Sequence, residues 1–319
     1  MFDRIMALSP WIETGIRTAY WRSAWLRALL ARLQHRGTTN PQTQSADPDA
    51  LAQIIAGLQD FGVGPGDILI VHSDLTLLHR LGLRPAAVNA ALLALLGPEG
   101  TLVMPAYPLI AGEPKGPDRL RADVSQLRLR YDPKRTPLWT GLLPHALMRL
   151  PGARRSALPI NSLVAVGRHA DAMFARELEG DRPLPCGRQS AWFYCYEHGA
   201  KMVGLGIDLP HSLTMNHVAE DAFAEQWPVA GWYRDRSFEI VLPNGRTIEK
   251  CIGERHPRWA LNYAERTLAK DLRRAGILRE SDISGVHMEF ASAREHIGFL
   301  NARKTRHYPY FIFPFQKRA

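Results

Sequence analysis

The sequence predicts an α/β protein: a mixed central sheet flanked by helices, preceded by one extra amphipathic helix at the amino end. Three observations carry that expectation. A composition of 46% hydrophobic and 22% charged residues is that of a globular chain able to bury a sizeable core. Ile68-Leu-Ile-Val71 and Thr101-Leu-Val-Met104 are short apolar runs suited to buried strands. Between them lies a helical stretch, Pro85 to Leu96, followed by the turn Gly97-Pro-Glu-Gly100. Strand, helix and strand in that order imply a parallel crossover.

The elements follow in order along the chain. In residues 1–36, Trp11, Ile12, Ile16, Tyr20, Trp25, Leu26, Leu29, Leu30 and Leu33 recur near helical spacing, with Arg17, Arg22, Arg27, Arg32 and Arg36 between them. This is a basic amphipathic helix, and two readings of it stand open: peripheral contact with an anionic membrane, or packing on the body of the protein or a second subunit. The arginines break any run of roughly 20 apolar residues, so no membrane span is expected. Residues 37–49 are polar with two prolines and read as a linker. The main domain is therefore expected over residues 50–319. It opens on a helix from Asp49 to Phe61, and Gly62-Val-Gly-Pro-Gly-Asp67 turns into the first strand. Further strands are expected at Ser162 to Val166, Lys201 to Leu205 and Glu239 to Leu242. Helices are expected near Gly141 to Arg149, Thr214 to Glu225 and Trp259 to Ala275.

Lys and Arg number 40 against 31 Asp and Glu, a net charge of +9 and a pI near 9.7. Such a balance speaks of anionic partners: nucleic acid, a membrane surface, or a phosphorylated small molecule. No zinc finger, RNP signature or long basic run is present, so nucleic acid is the least favoured. Cys186, Cys195 and Cys251 lack CxxC spacing and support neither a disulfide framework nor a metal site. A cytoplasmic location is expected, with the inner face of the membrane as the site of any peripheral contact.

The chemistry is sought at strand ends. His72-Ser73-Asp74-Leu75 follows the first strand, where open α/β sheets place their ligands, although Ser and Asp there are also ordinary helix caps. The second strand runs into Pro105-Ala106-Tyr107-Pro108 and a long loop rich in Gly, Pro and Arg, of a kind that covers sites. Thr214, His217 and Glu220 stand three apart and share one side of a helix. A neutral imidazole with a pKa near ~6.5 is suited to removing a proton at neutral pH.

Taken in sequence, His72-Ser-Asp-Leu, Gly97-Pro-Glu-Gly-Thr-Leu-Val-Met-Pro105, Asp132-Pro133 with Thr136-Pro137, Pro151-Gly152 with Arg155-Ser156, Gly187 with Ser190, and Thr214-x-x-His217-x-Ala-Glu220 resemble the aminoglycoside 3-N-acetyltransferase (antibiotic N-acetyltransferase) family. The resemblance covers roughly residues 50 to 310. It implies that family's fold, and direct transfer of an acetyl group from acetyl-CoA to the amine of a small-molecule substrate. It implies His217 as general base, with Thr214 in the same pocket and Asp208 as the acid orienting the imidazole. Glu265, on a later helix, is a second acidic candidate, and Glu220 is assigned to acceptor binding or to structure. His72, Ser73, Asp74, Leu75, Arg155 and Ser156 are expected to bind the coenzyme; Tyr107, Glu220 and Glu265 are expected to face the acceptor. No metal is expected, and an oligomer is left open.

The chain departs from the family at Arg155-Ser-Ala-Leu158-Pro159, where a polar residue usually precedes the proline, and at Ser190-Ala191, where Ser-Pro is usual. Those changes, and the basic charge, point away from a polycationic antibiotic and toward an amino sugar carried on a nucleotide or lipid diphosphate, as in surface polysaccharide assembly. The alternative is an inactive family member serving as a membrane-associated scaffold.

Overall fold

The computed structural model describes residues 6, 8–28, 49–74, 81–223, 229, 231–303 and 310–312. Its strands are β1 (Ile68–Ser73), β2 (Thr101–Pro105), β3 (Arg128–Tyr131), β4 (Arg154–Arg155), β5 (Leu163–Gly167), β6 (Lys201–Leu205), β7 (Tyr233–Val241), β8 (Thr247–Arg255), β9 (Arg279–Ile283) and β10 (Val286–Ser292). The helices used below are α1 (Pro10–Arg22), α2 (Ala50–Asp60), α3 (Pro85–Leu96), α4 (Leu142–Leu147), α5 (Ala191–Glu197), α6 (Asn216–Asp221), α7 (Glu265–Arg274) and α8 (Ala293–Ala302).

The large sheet has the order β4-β5-β2-β1-β6-β10-β9. β1 is parallel to β2 and to β6, joined to β2 through α3, as the crossover predicts. The flanking pairs β2–β5, β4–β5, β6–β10 and β9–β10 are antiparallel, so the sheet is mixed. Its central strand is buried on both faces, and period-2 alternation divides the side chains between two cores. Ile68 and Ile70 join a core with Trp192 of α5, Val218 of α6, Leu268 of α7 and Ile297 of α8. Leu69 and Val71 face the opposite core, with Ile54 of α2, Leu92 of α3 and Leu147 of α4. The result is three layers, helices on either side of one sheet. A second sheet, β3-β7-β8, closes over its own small core of Leu129, Tyr131, Phe238, Ile240 and Ile252.

Local chemistry explains the boundaries. Gly97 ends α3 with φ +64°, a conformation that favours glycine, and the chain then turns into β2. The expected strand at Glu239 to Leu242 is longer and begins at Tyr233, because its first half alternates charged residues that pair with β8 instead of forming an apolar run. The single helix expected from Trp259 to Ala275 is two elements, a 3-10 turn Pro257–Asn262 and α7. The expected helix from Thr214 is regular only over α6, and residues 224 and 225 lie outside the described ones.

In the amino-terminal segment, α1 runs over Pro10–Arg22, with residues 24–28 also helical; residues 29–48, including nearly all of the expected linker, lie outside the described residues. α1 packs on the main body. Glu13 is fully buried and its carboxylate accepts the backbone N–H groups of Arg266 and Thr267 in the first turn of α7. Those donors have no partner within their own helix, and a negative charge suits that end of it. Arg17 bridges Glu13 and Glu265 and donates to the carbonyl of Ala260.

Candidate active site

A cavity of about 1840 Å³ opens at the carboxyl ends of β1 and β2. That is more than the few hundred to ~1,000 Å³ of a typical single-ligand pocket, so two substrates have room. Its walls come from the whole length of the chain: His72 and Ser73 of β1, Tyr107 after β2, Trp139 and Leu142 before and in α4, Thr214 and His217 around α6, Arg255 of β8, and Arg17 and Tyr20 of α1.

The reactive geometry centres on α6. His217 Nδ1 lies 3.0 Å from Glu220 Oε2. The two residues are three apart on one short helix, so the backbone itself fixes the pair. Glu220 is fully buried, while His217 keeps 19% of its side chain exposed, toward the cavity it lines. Burial lowers the imidazole pKa below its ordinary value; Arg255 lowers it further, and Glu220 opposes both. His217 is thus neutral at neutral pH, with one ring nitrogen held and the other available. Arg255 Nε stands 4.0 Å from Glu220 Oε2, and its Nη1 is buried without a hydrogen-bond partner among the described residues.

Thr214 stands one turn before His217, and its hydroxyl is hydrogen-bonded to that of Tyr107. Burial raises the Tyr107 pKa, so the phenol stays protonated. Asp221 also lines the cavity; burial, then the neighbouring Glu220, push its pKa up to about 7. It accepts from Tyr233 Oη and from the N–H of Cys186. His72 is buried, its Nε2 lacks a partner among the described residues, and desolvation lowers its pKa to about 4. A buried neutral imidazole with an unmatched nitrogen on a cavity wall is matched to a polar ligand group.

The structure brings together His72, Ser73, Tyr107, Thr214, His217 and Glu265 on one cavity, as the sequence led us to expect. Other expectations are corrected. Asp208 does not orient the imidazole: Glu220 holds that position, while Asp208 pairs with Arg266. Glu220 is sealed beneath His217 with no exposed surface, so it cannot meet an acceptor. Arg155, expected at the coenzyme, gives its terminal nitrogens to the carbonyls of Pro133, Thr136 and Ala106, pinning the loop after β2. Ser156 is buried and bonds to Glu177, whose pKa burial raises to about 8. The N–H of Asp74 donates to the Leu205 carbonyl, continuing the β1–β6 pairing, and Leu75 lies outside the described residues.

Arg255, Asp221 and the α1 residues were missed. Arg255 and Asp221 are single charged residues without a motif, and an amphipathic helix does not disclose what it covers. The Glu220 pairing did have a signal in its i, i+3 spacing.

The family model described as Aminoglycoside 3-N-acetyltransferase matches residues 70–303. Aminoglycoside N(3)-acetyltransferase IV from Salmonella sp is 33% identical over 136 residues, 42% of this chain and 44% of its own length, so this chain spans less than half of that relative. Aminoglycoside N(3)-acetyltransferase VIII from Streptomyces fradiae is 26% identical over 282 residues, 80% of this chain and 92% of its own length. Among solved structures, one described as AAC-IIIb binary with CoASH superposes with a TM-score of 0.62 at 23% identity, over 79% of this chain and 95% of that one. That likeness shows the fold.

Proposed function

The chain belongs to the aminoglycoside 3-N-acetyltransferase family, and on that premise we propose that it transfers an acetyl group from acetyl-CoA to the amine of an amino sugar, with His217 as general base. One observation carries the proposal: a neutral imidazole on the cavity wall whose Nδ1 is held by a fully buried carboxylate. Coenzyme A is the bound partner named for the structural neighbour, and the cavity here has the volume for it beside an acceptor. Lys115 and Arg119 on the cavity wall supply cations for its phosphates.

His217 Nε2 takes a proton from the acceptor ammonium, and the freed nitrogen attacks the thioester carbonyl carbon. As the C–N bond forms, negative charge grows on the carbonyl oxygen, and the Thr214 hydroxyl, supported by Tyr107, donates to it. The C–S bond then breaks and the leaving thiolate recovers the proton from the imidazolium; the freed imidazole takes the remaining extra proton from the new amide nitrogen and releases it to solvent, so that ammonium and thioester become amide, free thiol and one proton. Glu220 stabilises that imidazolium while it exists.

For the acceptor, the charge of the cavity wall favours an amino sugar that also carries an anion, on a nucleotide or a lipid diphosphate. Three carboxylates of the wall are matched by arginines: Glu265 with Arg17 at 2.6 Å, Glu113 with Arg236 at 3.3 Å, and Glu254 with Arg234 and Arg236 at 2.7 and 3.0 Å; Asp221 instead accepts from Tyr233 and the N–H of Cys186. A polycation needs uncommitted carboxylates, and an anion does not. The second reading, an aminoglycoside acceptor, is favoured by the substrates named for the relatives. Thiol release from acetyl-CoA, measured with gentamicin-type antibiotics and with nucleotide-linked amino sugars, decides between them. Faster turnover of the nucleotide-linked sugars is expected. The opposite order establishes the antibiotic reading, and no release with any amine returns the chain to the inactive scaffold.

A further inference from the structure

We infer that the face around the cavity mouth docks on an anionic lipid bilayer, and that the acceptor is a lipid-linked amino sugar presented there; the second clause rests on the acetyl-transfer reading and the first does not. The exposed large hydrophobic side chains among the described residues fall on two segments that both border the cavity. Leu109, Trp139 and Leu142 line the cavity, with Trp139 61% exposed. Leu8, Trp11, Ile12 and Trp25 belong to the amino-terminal segment, with Trp11 61% and Trp25 72% exposed. The other side of that segment, through Ile16, Tyr20 and Trp21, lines the same cavity. Exposed apolar residues scattered singly mean little, but several on each of two segments that border one site mark an interaction surface.

Charge and residue type select the occupant. Tryptophan is the side chain that settles at headgroup depth, and it recurs here on two separate segments. Arg22 on α1, and Lys115, Arg119 and Arg121 beside the cavity, are exposed, with Asp118 the acid among them. The acid of α1, Glu13, is turned inward and buried, so the helix shows the solvent no acidic side chain. A net charge of +9 adds attraction to an anionic surface. Among the described residues no helix is long and apolar enough to cross a membrane, so the contact is peripheral. Docking in this way sets the cavity mouth at the headgroups. An amine on a lipid-linked sugar then reaches His217 while its tail stays in the bilayer.

The test is flotation of the full chain, without acetyl-CoA, on vesicles of phosphatidylcholine alone and of phosphatidylcholine with phosphatidylglycerol. The expected result is binding to the anionic vesicles that weakens with salt, and a loss of about tenfold or more in the double variant Trp11→Glu, Trp25→Glu. Neither residue lines the cavity, so that variant should still release thiol with a water-soluble amine, which shows that it folds. Absent flotation of the unaltered chain overturns the proposal, as does unchanged flotation of the double variant. A dimer in light scattering that the double variant dissociates assigns the face to a second copy, and also overturns it. Vesicle binding without thiol release from any amine leaves the docking face standing and removes the catalytic reading; thiol release without vesicle binding does the reverse.

Discussion

The cavity has two walls of opposite character. The inner wall, at the ends of β1 and β2 and on α6, holds groups that burial shifts toward their neutral forms: the His72 and His217 imidazoles, the Tyr107 phenol and the Asp221 carboxyl, raised to about 7. The outer wall, made by α1, the start of α7 and strands β7 and β8, is charged, and its carboxylates Glu13, Glu265 and Glu254 are ion-paired with Arg17, Arg234 and Arg236. Neutral groups in a desolvated place can exchange protons with a substrate. Paired charges on a partly open wall sort ligands and fasten the wall to the body. Changes to the inner wall should therefore alter the rate of the chemistry, and changes to the outer wall should alter affinity, stability and pH response.

The largest effect is expected at the centre of the inner wall. His217→Ala should reduce kcat/KM for thiol release by about a thousandfold, within the range for losing a positioned general base. Thermal unfolding should change little, because the imidazole is partly exposed on the cavity side. A variant that retained full activity would end the general-base assignment and reduce the inner wall to packing.

Glu220→Gln should come next. The amide keeps the shape but cannot stabilise an imidazolium, so kcat should fall about ten- to a hundredfold while KM for acetyl-CoA stays near its original value. Asp208→Asn supplies the contrast. Because Asp208 pairs with Arg266 and not with the imidazole, its substitution should leave kcat within about twofold. If Asp208→Asn proved the more damaging of the two, the Glu220 assignment would be wrong.

The two walls also differ in how far the sequence discloses them. Sheet and inner wall were legible: Ile68–Val71, Thr101–Met104 and Lys201–Leu205 are apolar runs bounded by turn residues, and the structure reproduces them almost to the residue. Thr214 and His217 were legible through their spacing and the order of motifs around them. The outer wall was not, because it is built from contacts distant in sequence. Glu13 reaches the N–H of Arg266, 253 residues away, and nothing local to α1 announces that partner. Arg155 fails for another reason. Its residue type suits a phosphate, but whether a guanidinium faces a ligand or backbone carbonyls depends on a loop whose path the sequence does not specify.

On the outer wall, Glu13→Ala should lower stability by about 2 kcal/mol, since it orphans two backbone donors at the start of α7 and removes one partner of Arg17. Differential scanning calorimetry checks the magnitude. Thiol release from a water-soluble amine should fall far less than with His217→Ala. If the variant matched His217→Ala in activity at a temperature where it is folded, α1 would belong to the chemistry and the division between the walls would fail.

The smallest effect is expected at Arg255, where the walls meet. Its guanidinium stands beside Glu220 and lowers the His217 pKa, in the same direction as burial. The base must be neutral to act, so the rate rises with pH through that pKa and reaches a plateau above it. Arg255→Gln removes a positive neighbour and leaves the opposing Glu220 carboxylate in place. The imidazole pKa should then rise, and the acid limb of the kcat profile should move to higher pH. On the plateau the rate should stay within about twofold of the original, because the nitrogen that takes the proton and the carboxylate that supports it are unchanged. A profile displaced to lower pH would give Arg255 the opposite sign. A uniform loss at every pH would make it a direct contact with substrate and place it on the inner wall.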